Sequence, residues 1–182
     1  MNESARQLVH ILFGIAITAV IWVLGKGIAL PVLFVSLLGG LLLSDIIARG
    51  YRVPLISRLV HELERPGVFP GKGAILFVFS SVFCLFFFPV QLVVPAVLTL
   101  AVLDGVSSLA GQYAGRHRIW NGKSWEGTVA GIGVTAAVLC IVIAPLQAVI
   151  VAVVAGLIEM VSPVDDNLVI APVVCLVLTW LS

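Results

Sequence analysis

Long, continuously apolar runs dominate the chain and leave few ways for it to fold. A helix of about 20 residues spans about 30 Å, the thickness of the hydrocarbon core of a bilayer. Inside a bilayer every backbone polar group needs a partner within the protein, so such runs are expected to be helices, and their continuous apolarity excludes the alternating pattern of a β-barrel. The runs lie at 8–24, 28–48, 73–89, 91–110, 127–144, 146–160 and 167–182. The sequence therefore predicts an all-α, polytopic membrane protein with about seven transmembrane helices.

The composition agrees with this fold class and restricts the function. Only 10% of the 182 residues are charged, whereas a soluble globular domain has about 25%. The apolar runs use most of the chain, so we expect residues 1–182 to form one integral membrane domain without a separate soluble domain. The formal net charge of +1 gives no basis for nucleic-acid binding.

The basic residues predict the orientation of the chain. An arrangement of about seven helices places the connections at 49–72, 111–126 and 161–167 on the same face as the N-terminus. That face carries nine of the ten basic residues: Arg6, Arg49, Arg52, Arg58, Arg65, Lys72, Arg116, Arg118 and Lys123. Because cytoplasmic loops are enriched in lysine and arginine, we expect the N-terminus in the cytoplasm and the C-terminus outside. In a prokaryote the protein would be a multi-pass protein of the cell membrane.

The segment 104–128 is polar and rich in glycine, unlike the rest of the chain. It holds five of the nineteen Asp, Glu, Lys and Arg residues, namely Asp104, Arg116, Arg118, Lys123 and Glu126. A divalent metal ion requires oxygen ligands, and phosphate groups require cations. The segment is therefore a candidate phosphate–metal site.

The first part of this segment forms a stripe on one face of the fourth predicted helix. Asp104, Ser107, Ser108, Gly111 and Gly115 follow helical spacing. Asp104 lies roughly 10 Å below Gly111 at 1.5 Å per residue, a depth at which a carboxylate can reach both a lipid hydroxyl and a metal ion. Small residues on one stripe also permit close helix packing. That alternative explains the glycines but not a buried aspartate.

The second part of the segment leads into the fifth predicted helix. The sequence Gly122-Lys123-Ser124 resembles the end of a P-loop, but His117 stands where a P-loop requires its first glycine. Ser124 is instead expected to cap the helix, whose free N–H groups form an anion site together with Lys123. Glu126 in the first turn either binds a divalent ion that bridges to phosphate or simply complements the helix dipole.

The other ionisable residues of interest also lie near the predicted cytoplasmic ends of helices. Glu159 ends the sixth run, and a lone buried glutamate generally has a partner or an ion. Asp165, Asp166 and Asn167 precede the last run and are candidates for its cap. A transporter would be expected to hold such groups near the middle of the membrane. The distribution indicates one site that opens to the cytosol.

These motifs resemble the CTP-dependent lipid alcohol kinases, a family that includes dolichol kinase, phytol kinase and a CTP-dependent diacylglycerol kinase. Residues 123–128 resemble the K-S-x-E-G-T element, and residues 104–116 resemble the D-x3-S-x2-G-x3-G-R pattern. Residues 159–167 are similar to the E…D-N element. Arg6 and His10 match the N-terminal R-K-x-x-H element, with Gln7 in place of the usual lysine.

The resemblance implies transfer of the γ-phosphate of CTP to a membrane alcohol, with Mg²⁺ or another divalent cation. It implies that Asp104, Lys123 and Glu126 are catalytic and that Arg6 and His10 lie on the lipid-headgroup side. The implied metal ligands are Asp104, Glu126, Glu159 and Asp166. The implied nucleotide-binding residues are Ser108, Gly111, Gly115, Arg116, Arg118, Lys123, Ser124, Gly127, Thr128 and Asn167.

Several alternatives remain open at the level of sequence. The acceptor is expected to be an isoprenoid alcohol of the dolichol, phytol or geranylgeraniol type, and a diacylglycerol is the alternative. A cytidylyltransferase that forms a CDP-lipid is a neighbouring enzyme class, and a small membrane transporter is a different class. The small residues Gly127 and Gly131 permit helix–helix contacts and hence an oligomer.

Overall fold

The protein is a bundle of α-helices. The computed structural model describes residues 3–51, 53–54, 68–119 and 122–182. The described helices are α1 (Glu3–Ala48), α2 (Lys72–Phe87), α3 (Val90–Ala114), α4 (Trp125–Leu139), α5 (Pro145–Val161) and α6 (Asp166–Leu181). An isolated bridge between Arg118 and Ser124 is the only β-pairing within these ranges. The predicted all-α class is confirmed, whereas Arg52, Arg58 and Arg65 of the predicted basic face lie outside the described residues.

Helix α1 is interrupted at Gly25, between the first two predicted apolar runs. Gly25 has φ 65° and ψ 174°, a conformation that only glycine adopts readily. The two halves of α1 both reach the start of α2: the rings of Phe13 and Phe77 are 5.9 Å apart, and Ser44 donates a hydrogen bond to the carbonyl of Pro70. A straight helix of this length would separate those points by roughly 45 Å. The chain therefore reverses at Gly25, and α1 is a helical hairpin.

Helix α3 lies at the centre of the bundle and packs against α1, α4 and α6. Its side chains Val97, Leu100 and Leu103 are fully buried in the apolar core. At the end of the bundle where α1 turns, the Lys26 ammonium donates to the Phe86 carbonyl at 3.1 Å. Lys26 is the single basic residue predicted on the outer face. The contact places it at the end of the bundle opposite the N-terminus of α1.

Glycines allow α3 and α4 to approach each other closely. A Cβ atom on Gly127 would lie 2.5 Å from the carbonyl oxygen of Ser107 and 3.0 Å from the backbone nitrogen of Gly111. A Cβ atom on Gly131 would lie 2.9 Å from the Cβ of Ser107. The small residues therefore serve helix packing within one chain, as the alternative interpretation of the glycine stripe predicted.

We expect Gly127→Ala to destabilise the protein, because the added methyl group overlaps backbone atoms that side-chain rotation cannot move. Overpacking of this kind costs about 1–3 kcal/mol. Gly133→Ala on the same helix is the matched control, since a Cβ atom there meets nothing within 4 Å. The control should be neutral or more stable by up to about 1 kcal/mol, from the helix propensity of alanine. Thermal denaturation in detergent measures both, and equal midpoints would contradict the close packing.

The outside of the bundle is strongly apolar. Helices α1 and α3 are long and apolar enough to cross a membrane, and the other four described helices are shorter apolar segments. Large side chains are exposed on the surface, including Trp22, Ile141 and Trp180, which are 74%, 85% and 87% exposed. Exposed large apolar side chains also follow α1 along its whole length, from Leu8 to Ile46, which is unusual for a soluble monomer. These features support association with a membrane.

A candidate metal and phosphate site

A polar cavity lies at the end of the bundle that contains the start of α1. The helices alternate in direction, so this end also collects the starts of α2, α4 and α6 and the final turns of α3 and α5. The cavity has a volume of about 770 Å³. The polar residues that line it include Arg6, Gln7, His10, Lys72, Asp104, Ser107, Ser108, Arg118, Lys123, Ser124, Thr128, Glu159, Asp165, Asp166 and Asn167. Residues from all six helices therefore meet in one place.

Three carboxylates converge in this cavity. One oxygen atom from each of Asp104, Glu159 and Asp166 lies within 4.8 Å of the other two. The Glu159 side chain is fully buried, and those of Asp104 and Asp166 are 17% and 18% exposed. Carboxylates held this close repel one another unless a cation lies between them. Oxygen ligands in this arrangement suit Mg²⁺ or another hard divalent cation.

Lys123 supplies part of the required positive charge. Its ammonium nitrogen lies 2.7 Å from Glu159 Oε1 and 2.5 Å from Asp166 Oδ2. Burial alone would lower the pKa of Lys123, but the two carboxylates outweigh burial and raise the pKa, so the side chain stays protonated. A carboxylate must be ionised to bind a metal ion, and in that state the three carboxylates and the Lys123 ammonium group would leave two negative charges unbalanced. A divalent cation would balance them.

Several residues that line the cavity carry a buried polar atom without a hydrogen-bond partner. Within the described ranges these are Nε2 of His10, Oγ1 of Thr128, Oε2 of Glu159 and Oδ1 of Asn167. An unsatisfied buried polar group costs about 1–3 kcal/mol. A polar ligand or ordered water could satisfy such atoms, and the free Glu159 oxygen would suit a metal ligand.

His10 brings the N-terminal motif into the site. Its Nε2 lies 3.3 Å from Oδ2 of Asp104, an ion-pair distance without hydrogen-bond geometry. Its ring also contacts the ring of Phe77, with 5.4 Å between centroids. Arg6 lines the cavity one turn earlier and pairs with Glu3. Of the two residues that the family resemblance places near the lipid headgroup, His10 is thus beside Asp104, and Arg6 lines the same cavity.

Glu126 and Arg116 are charged residues of the predicted site that lie outside the cavity. Glu126 Oε1 lies 2.7 Å from Nδ1 of His117, and both carboxylate oxygens accept from the His117 backbone N–H at 3.3 Å. Neither Glu126 nor Arg116 lines the cavity, and Glu126 is not part of the three-carboxylate cluster. The contacts of Glu126 fit the alternative interpretation, in which this residue stabilises the start of a helix.

The predicted helix caps are confirmed, and they shape one wall of the site. Ser124 Oγ accepts from the Gly127 N–H at 3.1 Å and caps α4. Asp165 accepts from the Asn167 N–H and caps α6. A Cβ atom on Gly115 would lie 2.7 Å from Ser124 Oγ. Because Gly115 and Gly127 have no side chains, Ser124 and the start of α4 can lie close to α3. The two glycines do not line the cavity themselves.

Lys72 and Ser107 are cavity residues to which the sequence prediction gave no functional role. Lys72 lines the cavity, and its ammonium nitrogen lies 3.0 Å from Asp165 Oδ2. Burial alone would raise the pKa of Asp165, but hydrogen bonds from Lys72 and Asn167 outweigh burial and lower it. Ser107 donates a hydrogen bond to Glu159 Oε1. In the sequence, the helical spacing of Ser107 from Asp104 already indicated that both lie on one face. Lys72 entered the sequence analysis only as one of the basic residues that predict the orientation of the chain.

Comparison with known proteins shows one relationship across nearly the whole chain. The sequence is 30% identical over 173 residues to the uncharacterized protein MJ1137 of Methanocaldococcus jannaschii. The alignment covers 92% of this chain and 88% of the archaeal protein. No protein-family model and no solved structure matches the chain. The protein therefore belongs to the same family as MJ1137.

Proposed function

We propose that the protein is a CTP-dependent lipid alcohol kinase that phosphorylates a membrane isoprenoid alcohol at the cytosolic face. The observation that carries this proposal is the convergence of Asp104, Glu159 and Asp166 with Lys123 in one partly buried cavity. Phosphoryl transfer depends mainly on positioning and on neutralising the charge of the phosphates. The preference for CTP and for an alcohol acceptor comes from the resemblance of the motifs to the kinase family.

We further propose that the chain crosses the membrane about seven times, with its N-terminus in the cytoplasm and its C-terminus outside. The reversal at Gly25 supports this topology, because it divides α1 into two segments of membrane-spanning length. Exposed Trp22 and Trp180 near one end of the bundle, with Tyr113 and Trp125 near the other, support it as well. Tryptophan and tyrosine are enriched at both membrane interfaces. The cavity would then open to the cytosol, where nucleotides are present.

Each group around the cavity has a role in this reaction. Asp104, Glu159 and Asp166 would hold Mg²⁺, which would neutralise phosphate charge when bound. Lys123, Arg118 and Lys72 would contact the phosphates as cations. His10 and Asp104 would orient the acceptor hydroxyl, and one of them would accept its proton. The hydroxyl oxygen forms a bond to the γ-phosphorus, the bond from that phosphorus to the bridging oxygen breaks, and CDP leaves.

The purified protein is expected to transfer label from γ-labelled CTP to a long-chain alcohol in Mg²⁺ buffer. EDTA should remove at least 99% of the activity, since about 3 kcal/mol of charge stabilisation is equivalent to roughly 10²-fold, and added Mg²⁺ should restore it. The acceptor panel is dolichol, phytol, geranylgeraniol and diacylglycerol, with thin-layer chromatography as the measurement. Label in diacylglycerol alone would identify the other kinase class.

Two further outcomes would contradict the proposal. Release of pyrophosphate with a CDP-lipid product would identify a cytidylyltransferase. Absence of label from every acceptor, together with chemical labelling of a cysteine at position 104 from both sides of the membrane, would favour a transporter. Labelling from the cytosolic side alone agrees with the proposed orientation.

A further inference from the structure

The cavity has an apolar side in addition to its polar one. Val9, Phe13, Gly73 and Ala74 line it, from the first half of α1 and the first turn of α2. Val9 and Phe13 are also 46% and 37% exposed. Their neighbours Leu8 and Leu12 on the described surface of α1 are exposed and apolar as well. An opening of the cavity on this side of α1 would therefore face the lipid of a membrane.

The floor of this opening is closed by Phe77. The Phe77 ring contacts His10 at 5.4 Å and Phe13 at 5.9 Å between centroids. A Cβ atom on Gly14 would lie 2.9 Å from the Phe77 ring, so α1 and α2 are tightly packed at this depth. Nearer the end of the bundle, a Cβ atom on Gly73 meets nothing within 4 Å. Among the described residues, the open position between α1 and α2 therefore lies between the His10–Phe77 contact and the end of the bundle.

Polar and apolar residues on this part of α1 are arranged as a lipid alcohol requires. His10, next to Asp104, is flanked by Val9 and by Phe13 one turn later. The cations Lys123 and Arg118 line the cavity from the segment that precedes α4. A hydroxyl at His10 would thus have phosphate-binding groups on one side and an apolar exit on the other.

We propose that this opening between α1 and α2, bounded by Val9, Phe13 and Gly73, is the portal through which the hydrocarbon chain of the acceptor extends into the bilayer. The inference rests on the proposed function, because it assigns the acceptor hydroxyl to His10 and Asp104. The portal requires only that the acceptor has a single long apolar chain attached to a small polar head. Side chains at positions 9, 13 and 73 would then determine which chains the enzyme accepts.

A bulky side chain at Gly73 is the direct test. Gly73→Trp should fit the fold, because the position is open, but it should obstruct the portal. We expect phosphorylation of geranylgeraniol to fall at least about tenfold, as steric overpacking predicts. Phosphorylation of a short alcohol such as 3-methyl-2-buten-1-ol should change less than about twofold, since its chain does not reach the portal. Gly133→Trp, at another open position on α4, is the matched control and should leave both rates unchanged.

Two results would overturn the portal: an unchanged rate with geranylgeraniol, or an equal loss for both alcohols. A second measurement does not depend on turnover. Geranylgeraniol that carries a photoreactive diazirine near its hydroxyl, incorporated in phosphatidylcholine bilayers, should crosslink to Val9, Phe13 or residues 73–74. Crosslinks confined to α4 would place the chain elsewhere. Crosslinks at the portal without transfer from CTP to either alcohol would support the portal and contradict the kinase.

Discussion

Asp104→Asn is expected to reduce phosphate transfer from CTP by at least about 10²–10³-fold, the range measured when one group that stabilises developing charge is removed. The substitution preserves the shape of the side chain but removes one of the three negative charges that would bind the metal ion. It also leaves His10 without the carboxylate that lies 3.3 Å from its Nε2. In the proposed reaction, the two losses would affect the metal ion and the acceptor hydroxyl together.

The measurement is the initial rate with γ-labelled CTP, together with the thermal midpoint of the variant in detergent. Asp45→Asn is the matched control. Asp45 is a carboxylate on α1 near the same end of the bundle, where its side chain is half exposed and lies 2.7 Å from Arg49. The control should retain the wild-type rate. An Asp104→Asn protein with near wild-type activity would exclude Asp104 from the reaction, and one that fails to fold would be replaced by Asp104→Glu, for which a partial rate is expected.

Lys123→Met is expected to have the largest effect on stability. The Lys123 ammonium group contacts Glu159 and Asp166, and the Glu159 side chain is fully buried. Removal of one partner from a buried ion pair costs about 3–5 kcal/mol, because the remaining charge stays buried and unpaired. Without divalent ions the variant should therefore denature at a lower temperature than the wild type. Phosphate transfer should also fall, since the lysine would contact the phosphates.

Mg²⁺ should restore much of the lost stability of Lys123→Met, because a bound cation replaces the missing positive charge. The same Mg²⁺ concentration should raise the midpoint of the wild type less. Lys26→Met is the control at the other end of the bundle, where the ammonium group contacts the carbonyl oxygens of Phe86 and Phe88. Its midpoint should respond to Mg²⁺ as that of the wild type does. An identical response to Mg²⁺ in Lys123→Met and the wild type would contradict a cation site at the carboxylates.

Local patterns were sufficient to predict the helices and their caps. The first two of the seven apolar runs lie in α1, where the break at Gly25 falls between them. The other five runs correspond to the other five described helices. Ser124 and Asp165 cap the helices that follow them. These features depend on neighbouring residues only, so the sequence contains the information needed to predict them.

Contacts between distant segments were predictable only in part. The motifs indicated Asp104, Glu159 and Asp166, which the fold brings together, but they also indicated Glu126, which pairs with His117. Glu126 is adjacent to cavity residues in sequence, yet its position on the first turn of α4 directs its contacts to the preceding loop. Lys72 faces the cavity because α2 starts beside α6, which the sequence did not reveal.

The sequence by itself determined that the chain is helical and apolar, because backbone hydrogen bonding and side-chain hydropathy act along a single segment. Only the tertiary structure decided which carboxylates lie together, which glycines serve packing and which residues line the cavity. Those properties depend on the distances between side chains of different helices. The distances are set by contacts such as Gly127 against Ser107 and Phe77 against Phe13, which join residues far apart in the chain.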